Sequence, residues 1–255
     1  MVLLHGYSDS SRSFELLLPH LPDSIHAYAL TQRGHGDADK PAGGYRPEDY
    51  AADVAAFLDA QGVEAALIVG HSGGSYAAQR FALDHADRTL GVVLIGSFQS
   101  FSDNPAVDEL KEAIAEFTDP VDREFVREFQ ESCVARPVPA DFMEAIIDGS
   151  AKVPARVWKD YLAAYLDADV PTESGSIAAP TLILWGDEDV FCRRSDQDAL
   201  LAAIPQARLS TYRGTGHCPH WEQPERAAAE IAAFTAGAAE EASRRELATT
   251  IGGAR

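Results

Sequence analysis

The feature that most constrains this chain is the run Leu67-Ile68-Val69-Gly70-His71-Ser72-Gly73-Gly74, where an apolar, β-type stretch breaks off into a G-x-S-x-G turn and a helix-like segment follows. A serine held on so tight a strand-to-helix turn needs neighbours without bulky side chains, because the backbone there is crowded and strained. Gly70 and Gly74 meet that need, and the arrangement is the signature of a nucleophile elbow. Ordinary loops between strands and helices also use Gly and Ser. The weight of the reading therefore rests on what the rest of the chain supplies.

Two further segments supply it. Pro180-Thr181-Leu182-Ile183-Leu184-Trp185 is a short apolar run ending in Gly186-Asp187-Glu188-Asp189, which puts one of these carboxylates at the carboxyl end of a buried strand, where open α/β sheets bind their ligands. Ala207 to Tyr212 predicts another strand, and behind it comes Gly214-Thr215-Gly216-His217, a glycine-flanked loop histidine ahead of a helix predicted over Pro224 to Phe234. A serine hydroxyl is a poor nucleophile at neutral pH and must lose its proton as it attacks. His217 is suited to take that proton, and a carboxylate behind it to hold the imidazole in the right tautomer. Cys218 adjoins His217 and is weighed as a second nucleophile, but Ser72 holds the elbow.

The chain opens with Val2-Leu3-Leu4-His5-Gly6-Tyr7, a predicted strand running into a His-Gly turn. The Tyr7 N–H, together with that of Gly73 after the serine, would form a two-donor oxyanion hole, in which one donor is typically worth about 3–4 kcal/mol in the transition state. His5 reads as a structural histidine.

These segments resemble the α/β-hydrolase superfamily, in particular its serine-nucleophile esterases and lactonases related to haloalkane dehalogenases and epoxide hydrolases. The resemblance is carried by Leu3-Leu4-His5-Gly6, Arg33-Gly34-His35-Gly36-Asp37-Ala38-Asp39-Lys40-Pro41, the Gly70–Gly74 turn, Leu184–Asp189, and Gly214 through Glu225. It implies an α/β fold, a mostly parallel sheet with helices on both faces and an inserted helical cap. It also implies that the acid is Asp189 rather than Asp187 and that the base is His217 rather than His220. Dehalogenases and epoxide hydrolases of the group attack with an aspartate, and Ser72 stands there instead. What the resemblance implies is a cofactor-independent hydrolase of a carboxylic ester or lactone, working through Ser72, His217 and Asp189, with no metal. Other triad chemistry (C–C bond hydrolysis, perhydrolysis, a hydroxynitrile-lyase-like step) or a ligand-binding receptor on the same scaffold are the alternatives. Two departures stand out. Gly73 occupies a position that in relatives is often a large apolar residue, which predicts a roomier floor, and Met1 already lies within the first predicted strand, which predicts an uncovered sheet edge.

The predicted organisation is a core over 1–100 and 177–236, a helical insertion over 101–176 and a frayed tail over 237–255. In the first half, helices are expected over about Ser11 to Leu21, Pro47 to Gln61 and Gly74 to His85, and strands over Ile25 to Leu30, Ala66 to Val69 and Leu90 to Ile95. Within the insertion, aromatics recur at helix-like spacings; His71, Phe98 and Trp158 are candidates for the substrate pocket. With 21 basic against 40 acidic residues and a formal charge of -19, electrostatics disfavours nucleic acid and anionic membranes as partners. Cys133, Cys192 and Cys218 lack metal-ligand spacing and read as reduced thiols, and no segment approaches the ~20 apolar residues of a membrane span. A cytoplasmic protein acting on a small molecule is the expectation, as a monomer or homodimer.

Overall fold

Apolar alternation builds the sheet. Val2, Leu4, Ile68, Val92, Leu94 and Ile183 pack on one face. Leu3, Val69, Val93, Ile95 and Leu184 pack on the other. This is the period-2 pattern of strands buried on both sides. The structure, a computed structural model, describes residues 1–101, 104–168, 172 and 176–252, with side chains described up to residue 240. The insertion expected over 101–176 and the tail over 237–255 both include positions outside that set.

Six strands, β1 (Val2–Leu4), β2 (Tyr28–Leu30), β3 (Ala66–His71), β4 (Thr89–Ile95), β5 (Thr181–Gly186) and β6 (Arg208–Tyr212), form one sheet in the order β2-β1-β3-β4-β5-β6. Every pairing is parallel. The helices are α1 (Pro47–Gln61), α2 (Gly73–Asp84), α3 (Pro105–Ala115), α4 (Arg123–Ser132), α5 (Ala140–Ser150), α6 (Ala155–Leu166), α7 (Arg194–Ala203), the short α8 (Pro219–Glu222) and α9 (Pro224–Gly252). Pro47 opens α1 where its missing N–H costs nothing, and Gly62 closes it at φ 65°. α1 and α2 cover one face of the sheet. α9, through Ala227, Ile231 and Phe234, covers the other with Phe14 and Leu17. The chain steps outward from β1 to β2 and returns to β3 on the opposite side of β1, so a topological switch point lies between β1 and β3, where such sheets bind ligands.

Between β4 and β5 the four helices α3 to α6 pack around Val126, Ile147, Val157 and Trp158, all fully buried. α4 lies against α5, and α3 against α6.

Three expectations are corrected. The stretch from Ser11 to Leu21 forms two 3-10 turns, Ser11–Phe14 and Leu18–His20, in place of one helix. Pro19 cannot donate to an α-helical ladder, and the Ser10 side chain accepts from Arg12 N to cap the first turn. β2 begins at Tyr28 rather than Ile25, because its only partner, β1, offers three residues to pair with. β2, half-buried, forms one edge of the sheet, with β6 at the other, while β1 is paired on both sides and buried. α9 continues through the expected frayed tail to Gly252, in keeping with the strong helix propensity of its Ala, Glu and Arg residues.

Candidate active site

Ser72 lies between β3 and α2 with φ 51° and ψ -122°, a conformation that a non-glycine residue adopts only when its surroundings impose it. They do so through two contacts that exclude a side chain. A Cβ at Gly70 would lie 2.3 Å from the Gly74 carbonyl oxygen, and one at Gly74 would lie 2.4 Å from the carbonyl oxygens of Leu4 and His5. The elbow is thus wedged between β1 and its own helix. As the first residue of α2, Gly73 has no acceptor for its N–H within the helix, and the positive end of the helix dipole sits at the same place.

His217 arrives on the loop after β6. Its Nδ1 is 2.8 Å from Asp189 Oδ2, and the other oxygen of Asp189 accepts from the backbone N–H groups of Phe191 (2.8 Å) and Cys192 (2.9 Å). The carboxylate is therefore fixed, and it dictates that Nδ1 carries the proton and Nε2 is free to accept one. Of the three neighbouring acids, Asp187 is exposed and accepts from the Gly214 N–H at 2.6 Å, Glu188 is exposed, and only Asp189 is buried against the imidazole. His220 is turned away, with its Nε2 3.3 Å from Ser13 Oγ.

Asp189, Cys192 and His217 hold ligand-type atoms within 4.8 Å of one another. The set suits a hydrogen-bonded relay better than a metal. The Asp189 oxygens already accept three bonds, and the Cys192 thiol, pushed well up by burial and then by Asp189, donates to the Gly96 carbonyl at 3.1 Å. Burial also drives the Cys218 thiol well up, so it stays protonated and offers no second nucleophile.

Ser72 and His217 line one cavity, together with Tyr7, Phe98, Phe101 and Tyr161. His71 and Phe98 are part of that lining. Trp158 is not: it is fully buried behind Tyr7, at 4.8 Å between ring centroids, and accepts the Tyr7 hydroxyl on its carbonyl. His5 is a structural group, with Nδ1 2.8 Å from the Gly6 carbonyl and Nε2 accepting from Gln32 N.

Some contributors have no signal in the sequence. Asp9, two residues past Tyr7, is buried in the cavity wall; burial pushes its carboxyl up to about 7 against the opposing pull of Gln130, Ser13 and His217. Glu222 ties the His217 loop to the insertion: it accepts from Gly216 N (2.8 Å) on one oxygen and from Arg136 N (2.8 Å) on the other. His217 N donates to Cys133 O at 2.9 Å. These residues stand far apart in the chain, and no periodicity connects them.

Gly73 does not give a roomier floor. A Cβ there would lie 2.0 Å from the Tyr161 hydroxyl oxygen, so α6 fills the space with a phenol whose ring stacks on Tyr165 at 4.1 Å. Gly73→Ala is accordingly expected to cost about 1–3 kcal/mol, as overpacking does. Urea unfolding of Gly73→Ala, Tyr161→Phe and the double variant checks it. The two changes should couple, with the double variant losing less than the sum.

A model of the Alpha/beta hydrolase family matches residues 1–230. The 2-(acetamidomethylene)succinate hydrolase of Mesorhizobium japonicum is 36% identical over 111 residues, 44% of this chain and 40% of that protein. The 2-hydroxy-6-oxo-6-phenylhexa-2,4-dienoate hydrolase of Burkholderia cepacia is 26% identical over 193 residues, 68% of this chain and 63% of that protein. The chain thus spans less than two thirds of either relative. An esterase structure from Exiguobacterium antarcticum matches with a TM-score of 0.82 at 21% identity, covering 92% of this chain and 90% of that one. At that identity the likeness speaks for the fold alone.

Proposed function

Since this chain belongs to the alpha/beta hydrolase family, we propose that it is a serine hydrolase of a carboxylic ester or lactone. The observation that carries the proposal is the presence in one cavity of a serine held at φ 51° on the elbow and an imidazole whose Nδ1 is bonded to a fixed carboxylate at 2.8 Å.

In this reading Ser72 Oγ attacks the carbonyl carbon while His217 Nε2 takes its proton, and the imidazolium is held by Asp189. The carbonyl oxygen gains the negative charge and is met by the N–H groups of Tyr7 and Gly73. Collapse of the tetrahedral adduct breaks the C–O bond to the alcohol, which leaves with the proton from His217. Water then attacks the acyl-enzyme with His217 again as base, releasing the acid and restoring Ser72. Helices α3 to α6 serve as a cap: Val107, Leu110, Phe129 and Leu162 contribute an apolar wall to the cavity, suited to a mostly apolar acyl or alcohol part.

Hydrolysis of a C–C bond by the same residues is the second reading, favoured by the activity named for the Burkholderia cepacia relative. Treatment with an aryl fluorophosphonate, followed by peptide mass spectrometry and assay on 4-nitrophenyl esters and lactones, tests the first. One adduct per chain on Ser72, with ester hydrolysis lost in proportion, is expected. Labelling of Ser72 without any ester or lactone turnover would move the C–C reading forward, and absence of labelling would sink both.

A further inference from the structure

The cavity has a mostly aromatic and aliphatic lining with few charged groups, and that bears on what it admits. Phe98 and Phe101, 4.0 Å apart between centroids, line it with Val107, Leu110 and Leu162. Asp9, His71 and Gln130 line it as well, with Ser100 and Asn104. Gln130, from α4, donates its Nε2 to Asp9 Oδ1 at 3.1 Å. Asp9 Oδ2 is less well served: it accepts from Ser13 Oγ at 3.4 Å, a hydroxyl that also lies 3.3 Å from His220 Nε2. His71 Nδ1 stops at 3.9 Å from the same oxygen. A carboxylate has about four acceptor positions, so Oδ2 keeps capacity for a donor from within the cavity.

Charge points the same way. Among the described lining residues none is Lys or Arg, and Asp9 is the only carboxylate. The titratable groups facing it are His71 at the end of β3, His217 and Cys218 on the loop after β6 and Tyr161 on α6, with His220 of α8 behind Ser13. Burial holds His71 and His220 well below the ordinary histidine range, so both are neutral near pH 7 and neither offsets a second anion.

We propose that Asp9 is a specificity-determining residue of this cavity, accepting a hydrogen bond from a hydroxyl or N–H of a neutral substrate and excluding substrates that carry a carboxylate. The proposal rests on the reading of the cavity as the site of ester hydrolysis. It separates this chain from the two curated relatives, whose named substrates are carboxylates.

The test uses phenyl acetate, 3-hydroxyphenyl acetate and 3-acetoxybenzoate, with kcat/KM divided by each ester's hydroxide rate, at about pH 8, where the Asp9 carboxyl is mostly ionised. The wild type is expected to prefer the hydroxyl-bearing over the carboxylate-bearing ester by at least about 30-fold, and Asp9→Asn to bring that ratio within about threefold. A ratio is read because a merely structural role of Asp9 would lower all three rates together. Asp9→Ser serves as a second variant should the amide disturb folding.

Binding of resorcinol and 3-hydroxybenzoate to the Ser72→Ala protein, with and without Asp9→Asn, gives a readout independent of turnover. If no ester is cleaved but resorcinol still binds at least about tenfold more tightly and loses that advantage in Asp9→Asn, the hydrolase reading fails and the Asp9 assignment stands. If esters are cleaved but the substrate ratio is flat in the wild type or unchanged in Asp9→Asn, the assignment is overturned and the hydrolase reading stands.

Discussion

Ser72→Ala is expected to lower kcat for ester hydrolysis by about 10⁵–10⁶-fold while leaving the thermal unfolding of the protein essentially in place. The reason is that the alanine keeps the Cβ and the backbone of the elbow, which are held by the Gly70 and Gly74 contacts rather than by the hydroxyl. His217→Ala should cost about as much, since an undissociated serine is a weak nucleophile and the leaving alcohol loses its proton source. The double variant should be scarcely worse than either single one, because groups acting as one unit fail together. Asp189→Asn should cost less, about 10⁴-fold: the Phe191 and Cys192 amides would still hold the side chain, but the amide oxygen or nitrogen would face Nδ1 with the wrong charge and tautomer preference. Steady-state kinetics on a 4-nitrophenyl ester, with circular dichroism as the check on folding, measures all four. Additive losses for Ser72→Ala and His217→Ala, or a Ser72→Ala enzyme within tenfold of wild type, would remove the triad as the explanation.

What the sequence revealed divides along a physical line. β3, β4 and β5 were legible because strands covered on both faces are nearly continuous apolar runs, and the elbow was legible because only glycine tolerates its contacts. Features decided by chain segments meeting from afar were not. Gly73 looked like open space until Tyr161, on another element, was seen to fill it. Asp187, Glu188 and Asp189 are indistinguishable by residue type. The turn after β5 decides which of them is buried against His217, and its direction is set by the amides of Phe191 and Cys192. Asp9 sits in a short polar stretch that reads as a surface loop, and only the placement of α4 over it puts Gln130 on its carboxylate. The 3-10 turns at Ser11–Phe14 and Leu18–His20 escaped notice because the apolar spacing of that segment suits an α-helix and Pro19 alone argues against one.

The second large effect concerns acid. His5, His35, His71 and His220 are all buried, and burial lowers each below the ordinary value, to about 4 for His35 and about 3 for His220. A histidine whose folded value is depressed contributes nothing adverse above the unfolded value of about 6.5; below it the unfolded chain takes up a proton that the folded chain refuses, at about 1.4 kcal/mol per pH unit for each such group. Asp9 works in the opposite sense. Raised from 3.8 to about 7, it holds a proton in the folded state that the unfolded chain releases, so its contribution improves as pH falls through 7 toward 4 and offsets roughly one histidine. The balance is a loss of about 4 kcal/mol per pH unit in the middle of the window between pH 6.5 and 4. A domain with about 6–10 kcal/mol of stability at neutral pH, within the ordinary range, would then unfold between about pH 4 and 5. Urea unfolding at a series of pH values measures the slope directly. His220→Gln should flatten it by about one proton, so that the variant loses less stability between pH 7.5 and 5 than the wild type does. Asp9→Asn should steepen the slope by about the same amount, because it removes a group whose titration opposes the histidines. A free energy of unfolding that stays level from pH 7 to 4.5 would mean that the buried imidazoles accept protons without opening the fold.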